Sequence, residues 1–325
     1  MKKITVVGAG SWGTTLSMIL GENGYDVRLW SRRRELADNI NSRKENTQYL
    51  SGIKIPRKVV AEHSLKKSLD GSEIIIAAVP SQFFRKTISE LKPYFNNQIV
   101  VSATKGLEDN CKRMSQVIEE ELGRKTKIAA LSGPNHSEEV SRKIPTASVI
   151  AAKDKKSGKI ISDCLATPYF KVYQIEDTAG AEICGALKNI TAIAAGVCDG
   201  FGFGDNTRAS IITLGLMEMN NFGRHFGAKR GTVYGLAGVG DLIATCTSRH
   251  SRNRFVGEQL AKGKTMEAIK KEMHGMIAEG IPTTKAVYEY SLKHKIQMPL
   301  THQTYEVLFN NKNTNKAVGD LLDLV

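Results

Sequence analysis

Short, uniformly apolar segments alternate with amphipathic ones in the first half of the chain. The run Ile74–Val79 is apolar throughout, and similar runs occupy 98–103 and 127–131. Segments that are apolar on both faces are typical of parallel strands covered by helices. Two later runs, 148–152 and 169–174, predict further strands near an edge of the same sheet. The first half of the chain is therefore predicted to be an α/β domain.

The pattern changes near Ala179, where strand-like runs give way to helical periodicities. The segment 181–197 is almost wholly apolar and rich in small residues, which predicts a helix buried on all sides. Further helical patterns follow at 211–222, 232–244, 253–261, 265–273, 284–292 and 301–309. The chain is therefore predicted to divide into an α/β domain, 1–178, and an all-helical domain, 179–325.

A glycine-rich turn follows the first predicted strand. Gly8, Gly10 and Gly13 form Gly-x-Gly-x-x-Gly between the apolar residues 3–7 and a helical pattern. This order of strand, turn and helix is the dinucleotide-binding fingerprint in its required context. The turn lets the backbone approach a pyrophosphate, and the helix N-terminus offers N–H groups to it. The sequence thus predicts a Rossmann-type domain that binds a dinucleotide, with an ordinary glycine-rich turn as the alternative.

The residues after the second predicted strand, 26–30, bear on the choice of cofactor. NAD-selective sites usually carry Asp or Glu about 20 residues past the glycines, on the ribose 2′-hydroxyl. Here Ser31 is followed by Arg32, Arg33 and Arg34, and a guanidinium would bind a 2′-phosphate instead. The predicted cofactor is NADP(H), or both cofactors with NADP(H) favoured. The alternative is that the arginines only solvate the start of a helix.

Composition limits the class of protein. The chain has 325 residues, 41% of them hydrophobic and 24% charged, which suits two globular domains. No apolar run reaches the roughly 18 residues that a membrane span needs, and the apolar residues after Lys2 and Lys3 break into the glycine motif too soon for a secretory signal. The five cysteines show no metal-binding spacing. We expect a cytoplasmic protein with no metal site.

The net charge of +13 favours anionic ligands or nucleic acid. The basic residues are scattered along the sequence without interleaved aromatic residues, so nucleic acid is not expected as a partner. An anionic metabolite and an anionic cofactor would account for part of the excess charge, and the rest has no explanation at this level.

Several loops that follow predicted strands carry polar groups at the edge where open parallel sheets bind ligands. Lys105 follows the strand 98–103, and Ser132-Gly133-Pro134-Asn135-His136 follows the strand 127–131. Lys105 suits a ligand-binding ammonium and a surface lysine equally well on position alone.

Lys188 stands inside the apolar helix predicted at 181–197. A buried lysine is costly unless it is paired or functional, and burial would lower its pKa toward the range useful for acid–base catalysis. The alternative is a lysine that reaches solvent at a helix edge. Further on, Ser251 is predicted to cap a helix whose first turn holds Arg252 and Asn253, an arrangement that suits a phosphate. Ordinary capping with solvated arginines is the alternative there.

These motifs together resemble the bacterial-type NAD(P)-dependent glycerol-3-phosphate dehydrogenase family. The matching segments run in order along almost the whole chain: 8–13, 104–108, 133–134 with 138–140, 187–189, 204–206, 235–242, 248–249, 251–254 and 279–280. The resemblance implies a Rossmann domain followed by a helical domain of the 6-phosphogluconate-dehydrogenase type. It also implies reduction of dihydroxyacetone phosphate to glycerol 3-phosphate for phospholipid synthesis by a homodimeric enzyme that is not inserted into a membrane.

The resemblance also implies roles for individual residues. Lys188 would be the catalytic acid–base group, and Asp241 would orient it. The implied substrate-binding residues are Lys105, Gly133, Asn135, Lys188, Asp241, Ser251, Arg252 and Asn253. The implied cofactor-binding residues, besides Gly8, Gly10 and Gly13 of the turn, are Ser11, Trp12, Arg32, Lys105, Ser137, Arg252, Ile277 and Glu279.

This chain departs from the family pattern in places: Asn135 replaces Ser or Thr, Ser137 replaces Ala, and Leu214 stands where Arg is expected. Two other classes remain open. One is a 2- or 3-hydroxyacid or 6-phosphogluconate type of dehydrogenase, and the phosphate-binding pattern argues against the plain hydroxyacids among these. The other is a non-catalytic NADP(H) sensor, which would not need a buried lysine.

Overall fold

The structure is a computed structural model, and it describes residues 2–273 and 275–323. The chain forms two compact units. The first comprises 1–104 with 114–178, and the second comprises 105–113 with the chain from 179 onward. The sequence analysis placed 105–113 in the first domain, and that placement is wrong. Leu107 and Cys111 are buried in the helical core of the second unit, and this burial explains why the short segment belongs to that unit.

The first unit is an α/β unit, as predicted. Among the described residues its strands are β1 (Lys3–Val7), β2 (Asp26–Trp30), β3 (Glu45–Asn46), β4 (Leu50–Lys54), β5 (Val59–Glu62), β6 (Ile74–Ala77), β7 (Ile99–Ser102), β10 (Ile128–Ser132), β11 (Thr146–Ala152) and β12 (Phe170–Ile175). Its helices are α1 (Ser11–Glu22), α2 (Arg34–Arg43), α3 (Leu65–Leu69), α4 (Ser81–Leu91), α5 (Met114–Leu122), α6 (Ser137–Val140) and α7 (Lys155–Leu165).

Eight of these strands form one sheet within the described residues, in the order β12-β11-β10-β7-β6-β1-β2-β5. Neighbouring strands are parallel except β10 and β11, and β11 and β12 lie at the edge of the sheet, as predicted for 148–152 and 169–174. The connection from β10 to β11 contains only the short helix α6. A parallel crossover usually contains a longer helix, which returns the chain to the opposite end of the sheet. The hairpin of β3 and β4 lies outside this sheet and was not predicted.

Helices cover both faces of the sheet. Leu16 of α1 and Ile161 of α7 pack on one face, and Phe84 of α4 and Ile118 of α5 pack on the other. All four side chains are almost fully buried. Burial on both faces explains why the central strands are uniformly apolar in sequence.

The second unit is helical, as predicted. Its described elements begin with the two-stranded hairpin β8 (Leu107–Glu108) and β9 (Lys112–Arg113). The helices are α8 (Thr178–Gly200), α9 (Asp205–His225), α10 (Arg230–Val233), α11 (Asp241–Thr247), α12 (Arg252–Ala261), α13 (Met266–Glu272), α14 (Gly280–His294), α15 (Pro299–Phe309) and α16 (Thr314–Leu322). The single helix expected at 232–244 is instead α10, a π turn at 236–240 and α11, because glycines at 235, 238 and 240 break it.

Helix α8 is the centre of the second unit. By length and composition it is the one described helix that could cross a membrane, which the sequence analysis did not anticipate. Its most apolar 18-residue window is 100% buried within the fold, as in the core helix of a globular protein. The helix is buried because other helices of the unit surround it, and its apolar side chains form the main core of that unit.

Glycines bring α8 and α12 into backbone contact. A Cβ on Gly196 of α8 would lie 1.9 Å from the carbonyl oxygen of Arg254, and one on Gly257 of α12 would lie 1.9 Å from that of Ile193. Neither position can accept a larger residue without separating the helices. This crossing fixes the start of α12 against the middle of the helix that carries Lys188.

Candidate functional site

The glycine turn has the geometry that a dinucleotide site requires. Gly8 has a φ of +115°, and a Cβ there would lie 2.6 Å from the carbonyl oxygen of Ala78. A Cβ on Gly13 would lie 1.9 Å from the carbonyl oxygen of Gly8, so α1 packs directly on the turn. Helix α1 begins at Ser11, immediately after Gly10. The backbone thus presents a helix N-terminus and an open turn to a ligand.

Trp12, on the first turn of α1, has a buried indole Nε1 with no hydrogen-bond partner among the described residues. Its ring packs edge to face against Phe170, with the ring centroids 6.3 Å apart. A buried indole N–H normally finds an acceptor. This unsatisfied donor beside the glycine turn fits a site that receives a polar ligand.

The three arginines after β2 have different surroundings. The guanidinium of Arg33 donates to Gln48 Oε1 at 2.7 Å, and Arg34 forms an exposed ion pair with Asp38 at 4.0 Å. The guanidinium of Arg32 lies over the ring of Phe83, 5.6 Å from its centroid. The side chains of Arg32 and Phe83 are both exposed. The guanidinium of Arg33 also lies over an aromatic ring, 5.8 Å from the centroid of Tyr49. Arg32 differs from Arg33 and Arg34 in that its described contact is with an aromatic ring and not with a polar side chain.

Phe83 was not identified from the sequence. It follows the loop Val79-Pro80-Ser81 on the first turn of α4 and is 38% exposed, whereas the adjacent Phe84 is fully buried. The signal in the sequence that could have identified Phe83 is an aromatic residue shortly after the end of a central strand. Its position beside Arg32 adds a flat, apolar surface to the predicted cofactor site.

Lys188, Asp241 and Lys105 form a buried cluster in the second unit. Lys188 Nζ donates to Asp241 Oδ1 at 2.5 Å and to Thr245 Oγ1 at 2.8 Å. Lys105 Nζ donates to the other oxygen, Asp241 Oδ2, at 2.8 Å. The side chains of Lys188 and Asp241 are 6% and 1% exposed, so Lys188 is not a lysine that reaches solvent. One carboxylate thus bridges two ammonium groups.

The charges of the cluster act on one another. Burial lowers the pKa of the Lys105 ammonium to about 7. The carboxylate of Asp241 acts to raise this pKa, and the positive charge of Lys188 acts to lower it further. Burial alone would raise the pKa of Asp241, but the charges of Lys105 and Lys188 outweigh it and hold that pKa below its usual value. Asp241 therefore stays ionised, and Lys105 exchanges its proton near neutral pH.

A chain of side-chain amides connects this cluster to α12. Asn189 Nδ2 donates to the backbone carbonyl of Lys105 at 3.2 Å. Asn253 Nδ2 donates to Asn189 Oδ1 at 2.9 Å, and Asn253 Oδ1 accepts from the backbone N–H of Gly280 at 2.8 Å. The amide of Asn253 therefore holds α8, α12 and the start of α14 together, a role that the sequence analysis did not assign to it.

The hairpin of β8 and β9, which begins two residues after Lys105, is anchored to the helical core. Arg113, at the end of the hairpin, pairs with the buried Glu182 of α8 at 3.2 Å. The thiol of Cys111 donates to the carbonyl oxygen of Ala286 at 3.3 Å. Lys105 is thus held against α8, the helix that carries Lys188, although the two residues are far apart in the sequence.

The start of α12 agrees with the sequence prediction. Ser251 is the N-cap, and its hydroxyl accepts from the backbone N–H of Arg254 at 3.2 Å. Arg252 follows in the first turn and is exposed. Arg254 is instead paired with the buried Asp199 of α8, which also accepts from Arg208 at 2.6 Å. The first turn of α12 thus presents one exposed guanidinium beside helical N–H groups.

The other predicted residues lie in both units. In the first unit, Gly133 has a φ of +124° at the end of β10, Asn135 Nδ2 donates to Ser148 Oγ at 3.0 Å, and Ser137 begins α6. In the second unit, Ile277 and Glu279 immediately precede α14. The structure therefore brings Lys105, Lys188, Asp241 and Asn253 together, with Ser251 and Arg252 on the same helix start as Asn253.

Comparison with known proteins covers both units. Models of the NAD-dependent glycerol-3-phosphate dehydrogenase N-terminus and C-terminus match residues 3–158 and 177–319. A glycerol-3-phosphate dehydrogenase [NAD(P)+] from Bacillus thuringiensis is 45% identical, over 100% of this chain and 96% of its own length. The chain belongs to the NAD-dependent glycerol-3-phosphate dehydrogenase family.

Solved structures of the family agree with this membership. The glycerol-3-phosphate dehydrogenase of Coxiella burnetii is 38% identical, with a TM-score of 0.96 over 99% of this chain and 98% of that one. That of Saccharomyces cerevisiae is 34% identical, with a TM-score of 0.84 over 98% and 99%. Membership of the glycerol-3-phosphate dehydrogenase family confirms the resemblance seen in the sequence and decides against the hydroxyacid and 6-phosphogluconate types.

Proposed function

We propose that the protein interconverts dihydroxyacetone phosphate and sn-glycerol 3-phosphate with NADP(H) or NAD(H). The observation that carries this proposal is the buried cluster of Lys188, Asp241 and Lys105, in a chain whose two halves both match the family. The bound nicotinamide supplies or takes up a hydride at C2 of the substrate. The residues of the chain bind the substrate, orient it and move the proton.

Lys188 is the proton donor in the reductive direction. Two of the three ammonium protons are directed at Asp241 and Thr245, at 2.5 and 2.8 Å. The third is available for the substrate carbonyl oxygen, where negative charge develops during reduction. Asp241 fixes the direction of the ammonium group. In the oxidative direction, the neutral amine of Lys188 takes the proton back.

Lys105 adds a second positive charge close to the same carboxylate. Its pKa of about 7 means that it gains and loses a proton under the conditions of turnover. Because Asp241 bridges the two ammonium groups, loss of the Lys105 proton strengthens the hold of Asp241 on Lys188. Lys105 thus tunes the charge of the cluster as well as offering a contact to the substrate.

The substrate phosphate binds at the first turn of α12. Arg252 offers a guanidinium fork there, and the N-terminus of the helix favours a dianion. Asn253 contributes by holding the helix start in place through Asn189 and Gly280. Binding energy at the phosphate then supports reaction at C2. Ser251, Gly133 and Asn135 remain predicted substrate contacts.

The first unit binds the cofactor at the glycine turn. Gly8, Gly10 and Gly13 leave room for a pyrophosphate, and Arg32 with Phe83 forms a cationic and aromatic surface for the adenosine end. Arg32 favours NADP(H) through its 2′-phosphate. The further predicted cofactor contacts are Ser11, Trp12, Lys105, Ser137, Arg252, Ile277 and Glu279.

The proposal extends to the setting of the enzyme. We assign it to the cytoplasm, as a homodimer without a metal, where its product serves phospholipid synthesis. Sedimentation of the purified protein measures the subunit number, and the lipid content of cells depleted of the protein measures its physiological role.

The decisive experiment is turnover of dihydroxyacetone phosphate, followed by the loss of NADPH absorbance. Arg252→Ala should lower kcat/KM strongly for dihydroxyacetone phosphate and little for unphosphorylated dihydroxyacetone, which should be a poor substrate of the parent. Arg252→Lys should restore activity in part, because an ammonium cannot form the bidentate fork. No turnover by the parent would refute the function. An equal loss for both substrates would refute the phosphate role of Arg252.

A further inference from the structure

A basic surface on the second unit lies outside the residues that the proposed mechanism uses. It is formed by the end of α9 with the start of α10, 222–234, and the end of α14, 290–295, and we call it the basic patch. Its cations are Arg224, Lys229, Arg230, Lys293 and Lys295, with His225 and His294 between them. All seven side chains are exposed. The patch accounts for part of the net charge of +13 that the sequence left unexplained.

Ring contacts join the two segments of the patch. The ring centroids of His225 and His294 are 5.3 Å apart, and those of Phe226 and Tyr290 are 5.2 Å apart. Tyr290 also stacks on His294 at 4.0 Å. Basic and aromatic residues that are separate in sequence therefore interleave on one surface, which explains why the sequence alone showed only scattered charge.

The patch contains no carboxylates of its own. No Asp or Glu occurs in 219–240 or in 290–305. Among the described residues, none forms an ion pair with Arg224, Arg230, Lys293 or Lys295. Glu289, which precedes the patch on α14, pairs with Lys285 at 4.0 Å. The four cations thus have no ion-pair partner of their own in the described part of the chain, and the surface is complementary to an extended polyanion.

Most aromatic rings of the patch contact other side chains. Tyr290 is stacked by His294 and contacted by Phe226, and the guanidinium of Arg230 lies 5.4 Å from the ring centroid of Tyr234, which is 50% exposed. Single-stranded nucleic acid binds by stacking successive bases on open aromatic faces, and the half-exposed ring of Tyr234 does not by itself provide such a series. A second copy of the chain is also unsuitable, because a two-fold contact would bring the same cations together.

The patch instead combines cations with an exposed aliphatic side chain. Leu292, next to Lys293, is 56% exposed at the end of α14. Basic residues around an apolar side chain are typical of surfaces that lie against anionic bilayers, where the apolar group enters the headgroup region. We infer that the basic patch docks the protein reversibly on membranes rich in anionic phospholipid. This is adsorption at the surface, not insertion, and it does not depend on the proposed catalytic function.

The test is co-sedimentation of the full-length protein with vesicles at about 0.15 M salt. One set contains phosphatidylcholine alone, and the other contains equal parts of phosphatidylcholine and phosphatidylglycerol. The parent should bind the second set only. Each cation near an anionic surface contributes roughly fivefold to the partition coefficient, so Arg224→Gln, Arg230→Gln and Lys293→Gln together should lower it about 100-fold.

A matched control removes three exposed lysines elsewhere, by Lys66→Gln, Lys67→Gln and Lys270→Gln. It has the same net charge as the patch variant and should bind vesicles within a few-fold of the parent. Leu292→Ser should weaken vesicle binding without changing the charge. Circular dichroism should show the parent fold for every variant, since all the altered residues are exposed.

Three outcomes would overturn the inference. The parent would fail to bind anionic vesicles; or the control variant would lose as much binding as the patch variant, which would indicate net charge alone; or duplex DNA would bind through the patch while vesicles did not. Equal binding of the parent and Leu292→Ser would also contradict the role assigned to the apolar side chain.

Discussion

Asp241 is the residue whose replacement most directly tests the proposed mechanism. Asp241→Asn keeps the shape of the side chain and removes the charge that lies 2.5 Å from Lys188 and 2.8 Å from Lys105. Two buried ammonium groups would then lack their common counterion. Removing one partner of a buried ion pair costs about 3–5 kcal/mol, because the remaining charge stays uncompensated.

The protein would escape part of this cost by releasing a proton from the cluster. In the parent, the charge of Asp241 is what raises the pKa of Lys105 against burial and against Lys188. Without it, the pKa of Lys105 falls below its parent value of about 7. Lys188 loses the charged acceptor that orients its ammonium group toward the substrate carbonyl oxygen. The expected loss in kcat for reduction is on the order of 10²–10⁴ at neutral pH.

The assay is kcat for reduction of dihydroxyacetone phosphate between about pH 5.5 and pH 9, a range that spans the pKa region of lysines lowered by burial. The part of the pH dependence that Lys105 contributes should move to lower pH in the variant, because the carboxylate that raises the pKa of Lys105 is lost. Glu218→Gln is the matched control. It also converts a buried carboxylate of the second unit into an amide, but Glu218 contacts Leu300 and Thr301 at the start of α15 instead of the lysines.

The control should keep kcat within a few-fold of the parent at neutral pH. If Asp241→Asn retained kcat within tenfold of the parent, with an unshifted pH profile, Asp241 would neither orient Lys188 for catalysis nor set the pKa of Lys105 during turnover. A comparable loss in Glu218→Gln would show that any buried charge change in this unit disturbs activity, and the assignment would fail for that reason.

Three further predictions concern other groups. Lys188→Ala should lower kcat by on the order of 10²–10⁴ and leave the NADPH dissociation constant nearly unchanged, and activity within tenfold of the parent would refute Lys188 as the proton donor. Arg32→Ala should weaken NADPH relative to NADH by roughly 1.5–3 kcal/mol in kcat/KM, and an unchanged ratio would show that Arg32 does not read the 2′-phosphate. Burial raises the pKa of Glu218 to about 7 against the bonds from Thr301 and Leu300, so the folded state binds a proton that the unfolded state has released. The free energy of unfolding should therefore fall by up to ~3 kcal/mol as pH rises from about 4.5 to 7, and urea titrations of Glu218→Gln should lack this decline.

The local features of the site could be predicted from the sequence because neighbouring residues determine them. The glycine turn, the buried position of Lys188 and the cap at Ser251 each depend on a few adjacent residues whose types are diagnostic. The break in 232–244 also had a local signal, the glycines at 235, 238 and 240, which the helical periodicity concealed.

The remaining features depend on contacts between distant parts of the chain. Lys105 and Asp241 are 136 positions apart, and nothing near either residue indicates the other. The segment 105–113 packs into the helical unit through two buried apolar side chains, Leu107 and Cys111. Two residues are too few to produce a hydrophobic periodicity that the sequence analysis could detect. The basic patch likewise exists only because ring contacts bring 222–234 against 290–295.

The crossing of α8 and α12 fixes the distance between these two helices. Helix α8 carries Lys188, the proposed proton donor, and α12 presents the turn proposed to bind the phosphate; their backbones touch at Gly196 and Gly257. Neither glycine has a side chain that could be shortened to bring these groups closer, and a larger residue at either position would separate the helices. With the proposed roles, main-chain geometry sets the length of substrate that fits, and redesign for a longer phosphorylated ketone would begin at these glycines, away from the residues proposed to touch the substrate.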